Sequence, residues 1–260
     1  MIAPGKVWLV GAGPGDPELL TLKAARVIGA ADVILIDALV NRAVLTHARA
    51  GVRVLDTGKR AGGCRSTPQR FIEHLMVREA LAGRTVVRLK GGDPFLFGRG
   101  GEEWRAAVAH GIAVEAVPGI TSAFGAMAAL GIPATDRDLC AGVALVTGHR
   151  QAGAPEPDWQ SLAQSGLTLL VYMGLAKVDE ISAKLIEGGL APATPALAVA
   201  SATLPSQRTC VATLGTLAMA VSRAGLASPA ILLIGAVAGR ATLHASAPGA
   251  GGALPALRVA

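Results

Sequence analysis

Aromatic residues are scarce in this 260-residue chain: one Tyr, three Trp and four Phe, 3% in all. So few rings cannot form a base-stacking platform, and the basic residues are scattered rather than clustered, which argues against a nucleic-acid partner. Cysteine is equally sparse. Cys64, Cys140 and Cys210 stand far apart with no CxxC pair, and the five histidines show neither HxxxH nor HExxH spacing. That excludes a disulfide framework and the usual zinc arrangements, so no metal is expected. Cys140 and Cys210 read as small core residues. Long apolar runs are missing too, although the mean hydropathy is +0.49. Residues 229–239 and 120–134, the latter broken by Thr121, Ser122 and Pro133, fall short of the ~20 residues a spanning helix needs. Ahead of the first glycine loop only Val7 to Val10 is apolar, too little for a signal-peptide core. A soluble, cytoplasmic protein with no membrane partner is the expectation.

What is present is a core of Ala, Val, Leu and Ile, with 52% hydrophobic residues, enough to bury a real interior. The net charge is +6, and arginine supplies 18 of the 24 basic residues. A compositional bias toward Ala, Arg and Gly explains this. So does a polyanionic substrate, because guanidinium forks match carboxylates bidentately.

The first half alternates short apolar runs with helical patterns, as β-α units around a parallel sheet do. Strands are predicted at Val7–Val10, Asp32–Ile36, Val52–Leu55, Thr85–Lys90 and Ala113–Val117. Helices are predicted over Pro17–Ile28, Asn41–Ala48, Thr67–Ala82, with Thr67 as N-cap and Pro68 at the first position, and Gly101–His110. Pro118-Gly119 reads as the break between two halves. Beyond it, strands at 142–147, 167–173, 196–200, 207–213 and 230–234 and helices at 122–130, 177–187 and 215–224 suggest a mixed sheet. The expected organisation is an N-terminal α/β domain over 1–118, a C-terminal α/β domain over 119–241, and a disordered tail of small residues over 242–260.

Two loops stand out. Arg88-Leu-Lys-Gly-Gly-Asp-Pro-Phe-Leu-Phe-Gly-Arg-Gly-Gly-Glu-Glu103 is a strand end breaking into a glycine-rich turn that opens a helix. Ligands of α/β sheets bind beyond the carboxyl ends of strands, so this is a site loop. Gly91 and Gly92 admit close backbone approach or positive φ, and Pro94 fixes the turn with Asp93. The second loop, Val10-Gly-Ala-Gly-Pro-Gly-Asp-Pro17, follows the first strand. Together they imply a nucleoside-like ligand. The second loop imitates the dinucleotide fingerprint G-x-G-x-x-G, with Asp32 and Asp37 near the position of a ribose-binding acid. The match fails in detail: Asp16 takes the third glycine position, and Pro14 and Pro17 interrupt the helix start. Read from the residues alone, Asp37 is an N-cap, Lys59 a solvated turn lysine and Met173 core filling. Arg88 reads as a strand-end residue pairing Glu102 or Glu103.

Val10 to Ala24 resembles the opening of the tetrapyrrole methylase superfamily. The resemblance extends through Asp37-Ala-Leu-Val40, Gly58-Lys-Arg60, Arg88 to Glu103, Val117-Pro-Gly-Ile-Thr-Ser122, Thr147-Gly-His149 and Tyr172-Met-Gly174, spanning roughly Val7 to Gly235. Gly91 to Glu102 is similar to the branch that C-methylates uroporphyrinogen III. No dehydrogenase–chelatase module precedes this region, so the stand-alone form is expected. The resemblance implies S-adenosylmethionine in a cleft between two α/β domains, S-adenosylhomocysteine as product, and a homodimer. It assigns cofactor contact to Pro14, Gly91, Gly92, Asp93, Leu96, Thr121, Ser122, Met173 and Ala202. It makes Asp37 a proposed base and Lys59 a proposed proton donor. The implied reaction is methylation of carbons 2 and 7 to give precorrin-2, for sirohaem or cobalamin. A sister methylase acting on a later corrin precursor, or a non-catalytic paralogue that binds S-adenosylmethionine, are the alternatives. The substrate's eight carboxylates would give Arg60, Arg65, Arg88 and Arg99 a purpose. The chain departs from the family pattern at Ile36, often Tyr, and at Ala202, a glycine in some relatives.

Overall fold

A computed structural model describes residues 3–58, 67–149, 153 and 155–241. Five strands, β1 (Lys6–Gly11), β2 (Val33–Ile36), β3 (Arg53–Asp56), β4 (Val86–Lys90) and β5 (Ala113–Val117), form a sheet in the order β3-β2-β4-β1-β5. Every pairing in it is parallel. Strand residues alternate between the faces. Val10, Ile34, Ile36, Val87 and Leu89 share one core with Ala24, Val27 and Ile28 of helix α1 (Leu22–Gly29). Val7, Leu9, Val33, Leu35 and Val86 share the other with helix α2 (Gln69–Leu81) and Ala107 of helix α3 (Gly100–Ala109). Both faces are covered, as a parallel sheet requires.

The strand order positions the site. The connection leaving β1 runs toward β2, while the one leaving β4 runs toward β5, although β1 and β4 are neighbours. The helices that follow, α1 and α3, pack on opposite faces of the sheet, and connections that leave neighbouring strands for opposite faces open a crevice at their carboxyl ends. The two glycine loops follow these two strands.

The remaining strands, β6 (Val143–Thr147), β7 (Thr168–Tyr172), β8 (Pro195–Ala200), β9 (Arg208–Thr213) and β10 (Ala230–Ile234), form a mixed sheet in the order β6-β7-β10-β8-β9. β6 and β7 are parallel, while β10 runs antiparallel to both β7 and β8. Helices α5 (Trp159–Gln164), α6 (Val178–Glu187) and α7 (Leu217–Ala224) contribute Trp159, Ile181, Leu185 and Val221 to its core. Between the sheets in sequence lies helix α4 (Ser122–Ala129). The mixed α/β character of the second half and the parallel character of the first agree with the sequence reading.

Local chemistry moved several boundaries. The helix predicted over 17–28 is a 3-10 turn (Pro17–Leu19) and then α1, because the Thr21 hydroxyl caps the Ala24 amide and starts a new helix. The segment predicted as a helix over 41–48 is a 3-10 helix (Arg42–His47). Thr67 does not cap α2. Pro68 holds that position without a side-chain bond, and the Thr67 hydroxyl donates to the Gly58 carbonyl at 3.0 Å. Helix α5 is too short to show a clear period, so no sequence pattern predicts it.

The chain forms two compact units. Among the described residues, one runs to Ala126 and takes back Ser201–Arg208; the other holds Met127–Ala200 and Thr209–Ala241. The break read at Pro118-Gly119 therefore falls inside the first unit, because Gly119 and Ser122 pack onto its glycine loops. The tail over 242–260 and Lys59, Arg60 and Arg65 lie outside the described residues. Among the described residues no helix is long and apolar enough to cross a membrane.

Candidate functional site

Three loops meet at the carboxyl edge of the parallel sheet. The Gly13 and Gly92 backbones bond to each other, Gly92 N–H to Gly13 O at 2.7 Å and Gly13 N–H to Gly92 O at 3.3 Å. Gly119 joins them. A Cβ on Gly119 would run into the Gly92 carbonyl, and one on Gly11 would lie 2.6 Å from both Gly119 N and Gly92 O. Only glycine permits this approach. Gly92 is different: its φ is +67°, and a Cβ there would meet Ser122 Oγ at an ordinary 3.5 Å. Backbone conformation, more than crowding, calls for glycine at 92. Gly91 packs on Leu39, where a Cβ would sit 3.0 Å from the Leu39 Cβ.

Asp93 ties the loops together. Its Oδ1 accepts the Phe95 amide at 2.9 Å and its Oδ2 accepts the Gly119 amide at 3.1 Å. The carboxylate is committed to backbone, so what Asp93 can present to a ligand is its main chain. Leu96 follows, half-buried. Thr121 is buried and Ser122 opens α4, with Ser122 Oγ and N directed at Gly92. On the first loop, the Pro14 ring lies against Gly125, and Ala202 O and Leu204 lie against Gly15. The structure thus brings Pro14, Gly91, Gly92, Asp93, Thr121, Ser122 and Ala202 into one neighbourhood of the first unit.

Asp37 follows β2 beside them. It does not cap the next helix; Asn41 does, accepting the Ala43 amide at 3.0 Å. Asp37 Oδ1 instead accepts the Ala38 amide at 2.7 Å, and Oδ2 accepts from Arg88 Nη2 at 3.2 Å. The carboxylate remains 35% exposed, so a substrate group can reach it.

Arg88 corrects the expectation of a guanidinium waiting for substrate. It is 2% exposed, on the α3 side of β4, and its donors are spent inside the protein. Nε donates to Glu103 Oε1 at 2.9 Å, Nη1 to the Thr57 hydroxyl at 3.0 Å and more distantly to the Leu35 and Leu89 carbonyls. Lys90 is buried beside it. Its Nζ donates to Glu103 Oε1 at 3.2 Å and lies 3.1 Å from Oε2, a charge contact without hydrogen-bond geometry. Burial and the Arg88 charge push the Lys90 ammonium below its ordinary value, while Glu103 pulls it back. Two cations face two carboxylates, so the cluster is neutral only as a whole. Of the two partners the sequence offers Arg88, Glu102 and Glu103, the structure selects Glu103; Lys90, Thr57 and the link to Asp37 carry no local sequence signal.

Arg99 differs from Arg88 in being exposed. It holds a left-handed φ of +59° and grips Glu102 through two bonds of 2.9 and 2.7 Å. That grip holds the Glu102 carboxyl below the usual range.

In the second unit, Met173 follows β7 with φ +54° and is 49% exposed, so it is not core filling. Gly148 and Gly174 pack closely there, a Cβ on Gly148 falling 2.6 Å from Gly174 Cα, and the left-handed turn aims Met173 outward. Among the described residues no group of three or more His, Cys, Asp or Glu is placed to hold a metal.

A parallel sheet with glycine loops at its switch point, and a buried cation gripping an accessible carboxylate there, defines an α/β enzyme with a crevice for a nucleoside-like ligand. The sequence profile described as Tetrapyrrole (Corrin/Porphyrin) Methylases matches residues 6–218, and the chain belongs to that family. Among its relatives is the uroporphyrinogen-III C-methyltransferase of Pseudomonas aeruginosa, 54% identical over 233 residues, covering 90% of this chain and 94% of the relative. A siroheme synthase of Neisseria meningitidis is 50% identical over 235 residues, and the match spans 48% of that longer protein. Among solved structures, uroporphyrin-III C-methyltransferase from Thermus thermophilus, complexed with S-adenosylhomocysteine, superposes with a TM-score of 0.76 at 41% identity, covering 90% of this chain and 93% of that one.

Proposed function

We propose that this chain transfers methyl groups from S-adenosylmethionine to carbons 2 and 7 of uroporphyrinogen III, giving precorrin-2. The observation that carries the reading is the meeting of three glycine loops with the Arg88-anchored Asp37 carboxylate at one sheet edge. The cradle fits a ligand rich in polar groups: Gly92 holds a conformation open to close approach, and Ser122 Oγ lines the same space. Pro14, Gly91, Gly92, Asp93, Leu96, Thr121, Ser122 and Ala202 are proposed to hold S-adenosylmethionine there. The family motif gives Met173 the same role, with a soft apolar side chain suited to it.

When bound, the cofactor supplies an electrophilic methyl on a sulfonium. A ring carbon of the reduced tetrapyrrole would attack that methyl as the methyl–sulfur bond breaks, its electron pair staying on sulfur so that S-adenosylhomocysteine leaves, and the cationic product would then lose a proton from a bridging carbon. Asp37, fixed by Arg88, is the proposed acceptor of that proton, and its negative charge favours the cation that precedes the loss. The family motif makes Lys59, outside the described residues, a proposed proton donor, separate from that carbon-bound proton. Alignment of methyl and carbon is worth ~7–11 kcal/mol in well-oriented reactions. The chain is also read as cytoplasmic and as a homodimer, and light scattering tests the second of these.

An acceptor comparison tests the reaction. With labelled S-adenosylmethionine, label is expected in uroporphyrinogen III and not in later, already methylated corrin precursors. Label entering only the later precursors would make this a sister methylase.

A further inference from the structure

The segment Ser201–Arg208 leaves the second sheet after β8 and packs into the first unit. It does so in an unfavourable conformation. Ser201 and Thr203 both have left-handed φ, +51° and +65°, a region that L side chains avoid and β-branched ones avoid most. The segment is held from within: Thr203 N–H donates to Gln207 Oε1 at 2.7 Å, Leu204 N–H to Ser201 O at 3.2 Å and Gln207 N–H to Leu204 O at 2.9 Å. Such strain persists where surrounding contacts over-determine it, and here the contacts fall on one feature.

That feature is the Pro14–Asp16 turn. Thr203 Oγ1 accepts the Asp16 amide at 3.0 Å, across 187 residues of sequence. Leu204 and the Ala202 carbonyl close against Gly15, leaving no room for a Cβ. Thr203 Cγ2 and the Pro14 ring both lie against Gly125 of α4. Asn41 Nδ2 grips the turn too, donating to Gly15 O at 2.8 Å. The Asp16 carboxylate accepts the Glu18 amide and the Asp16 carbonyl accepts the Leu19 amide, while Thr203 supplies the acceptor for the Asp16 N–H.

We propose that Thr203 is a positioning residue for cofactor binding, its hydroxyl holding the Pro14–Asp16 turn in the shape the cofactor meets. The proposal rests on the reading above that this turn belongs to the S-adenosylmethionine site. Thr203 acts through Asp16 and is not itself a contact to the ligand.

The test uses the full chain, calorimetric titration with S-adenosylhomocysteine, and steady-state kinetics. Thr203→Val keeps the shape and deletes the acceptor; it is expected to weaken S-adenosylhomocysteine binding and raise the KM for S-adenosylmethionine about fivefold, the worth of one ordinary hydrogen bond, with kcat at saturation within about twofold. Thr203→Ser restores the hydroxyl and is expected to restore affinity. Thr203→Gly relieves the backbone strain without a hydroxyl and is expected to bind as weakly as Thr203→Val. Unchanged affinity in Thr203→Val, or full affinity in Thr203→Gly, would overturn the proposal. Gly92→Val separates the two levels of the argument. If Gly92→Val loses binding while Thr203→Val does not, only the role of Thr203 falls. If a folded Gly92→Val and Thr203→Val both bind normally, the location of the cofactor site falls with it.

Discussion

Arg88 Nη2 lies 3.2 Å from Asp37 Oδ2, and the same guanidinium donates through Nε to Glu103 at 2.9 Å. One buried cation thus joins a fully buried carboxylate to a partly exposed one at the edge of the sheet. The arrangement fixes where the Asp37 charge sits while leaving its other face accessible.

Replacement of Asp37 by Asn is therefore expected to leave S-adenosylhomocysteine affinity within about twofold and to reduce turnover by roughly 10²-fold or more, the scale of a positioned proton acceptor. Calorimetry and the methyl-transfer rate check the two halves. Intact turnover would hand the proton to substrate or water.

Loss of Arg88 should cost stability first. Arg88→Met strips the buried Glu103 and the half-buried Asp37 of the guanidinium they share, and removal of one member of such a group costs about 3–5 kcal/mol. Denaturant unfolding of Arg88→Met, Glu103→Gln and the double variant measures it. The double variant is expected to lose less than the sum of the singles, because the groups share one network.

The glycines are expected to rank by what their Cβ would meet. Gly119→Ala drives a methyl into the Gly92 carbonyl and the Gly11 backbone, and should reduce S-adenosylhomocysteine affinity by about tenfold or more together with melting temperature. Gly92→Ala meets only ordinary contacts, so its cost is chiefly the left-handed φ, about 1 kcal/mol. Equal effects at the two positions would mean that the loops do not depend on close backbone approach.

At the opposite end of the sheet, Glu79 is buried and paired with Arg53, Arg78 and Arg84. Burial raises its pKa, but the three guanidinium bonds more than offset this and hold the carboxyl below 4.5. A lowered folded-state value means the contribution is complete above that pH and is lost as pH falls through the lowered value. Glu79→Gln should cost about 1–3 kcal/mol at neutral pH, and its stability should change less between pH 5 and 3 than that of the parent chain, as denaturant midpoints across that range would show.

The parallel sheet was legible because its strands are short apolar runs separated by helical periods, and the Gly91–Asp93 loop because glycine and proline have few uses at a strand end. Other features lie outside local pattern. The Thr21 cap that breaks the first helix competes with an unbroken run of helix-forming residues around it. Arg88 reads as an ordinary strand-end residue until β2 and α3 bring Asp37 and Glu103 to it. The return of Ser201–Arg208 to the first unit has no periodicity at all; only the contacts of Thr203 and Leu204 reveal it. Met173, which spacing alone assigns to the core, instead sits exposed in a left-handed turn after β7.

The central claim is methyl transfer to uroporphyrinogen III, and the mass of the tetrapyrrole product after anaerobic incubation with the purified chain and S-adenosylmethionine tests it most directly. Gain of two methyl groups is the expected result. Recovery of unmodified uroporphyrinogen III, from protein that still binds S-adenosylhomocysteine, would contradict it.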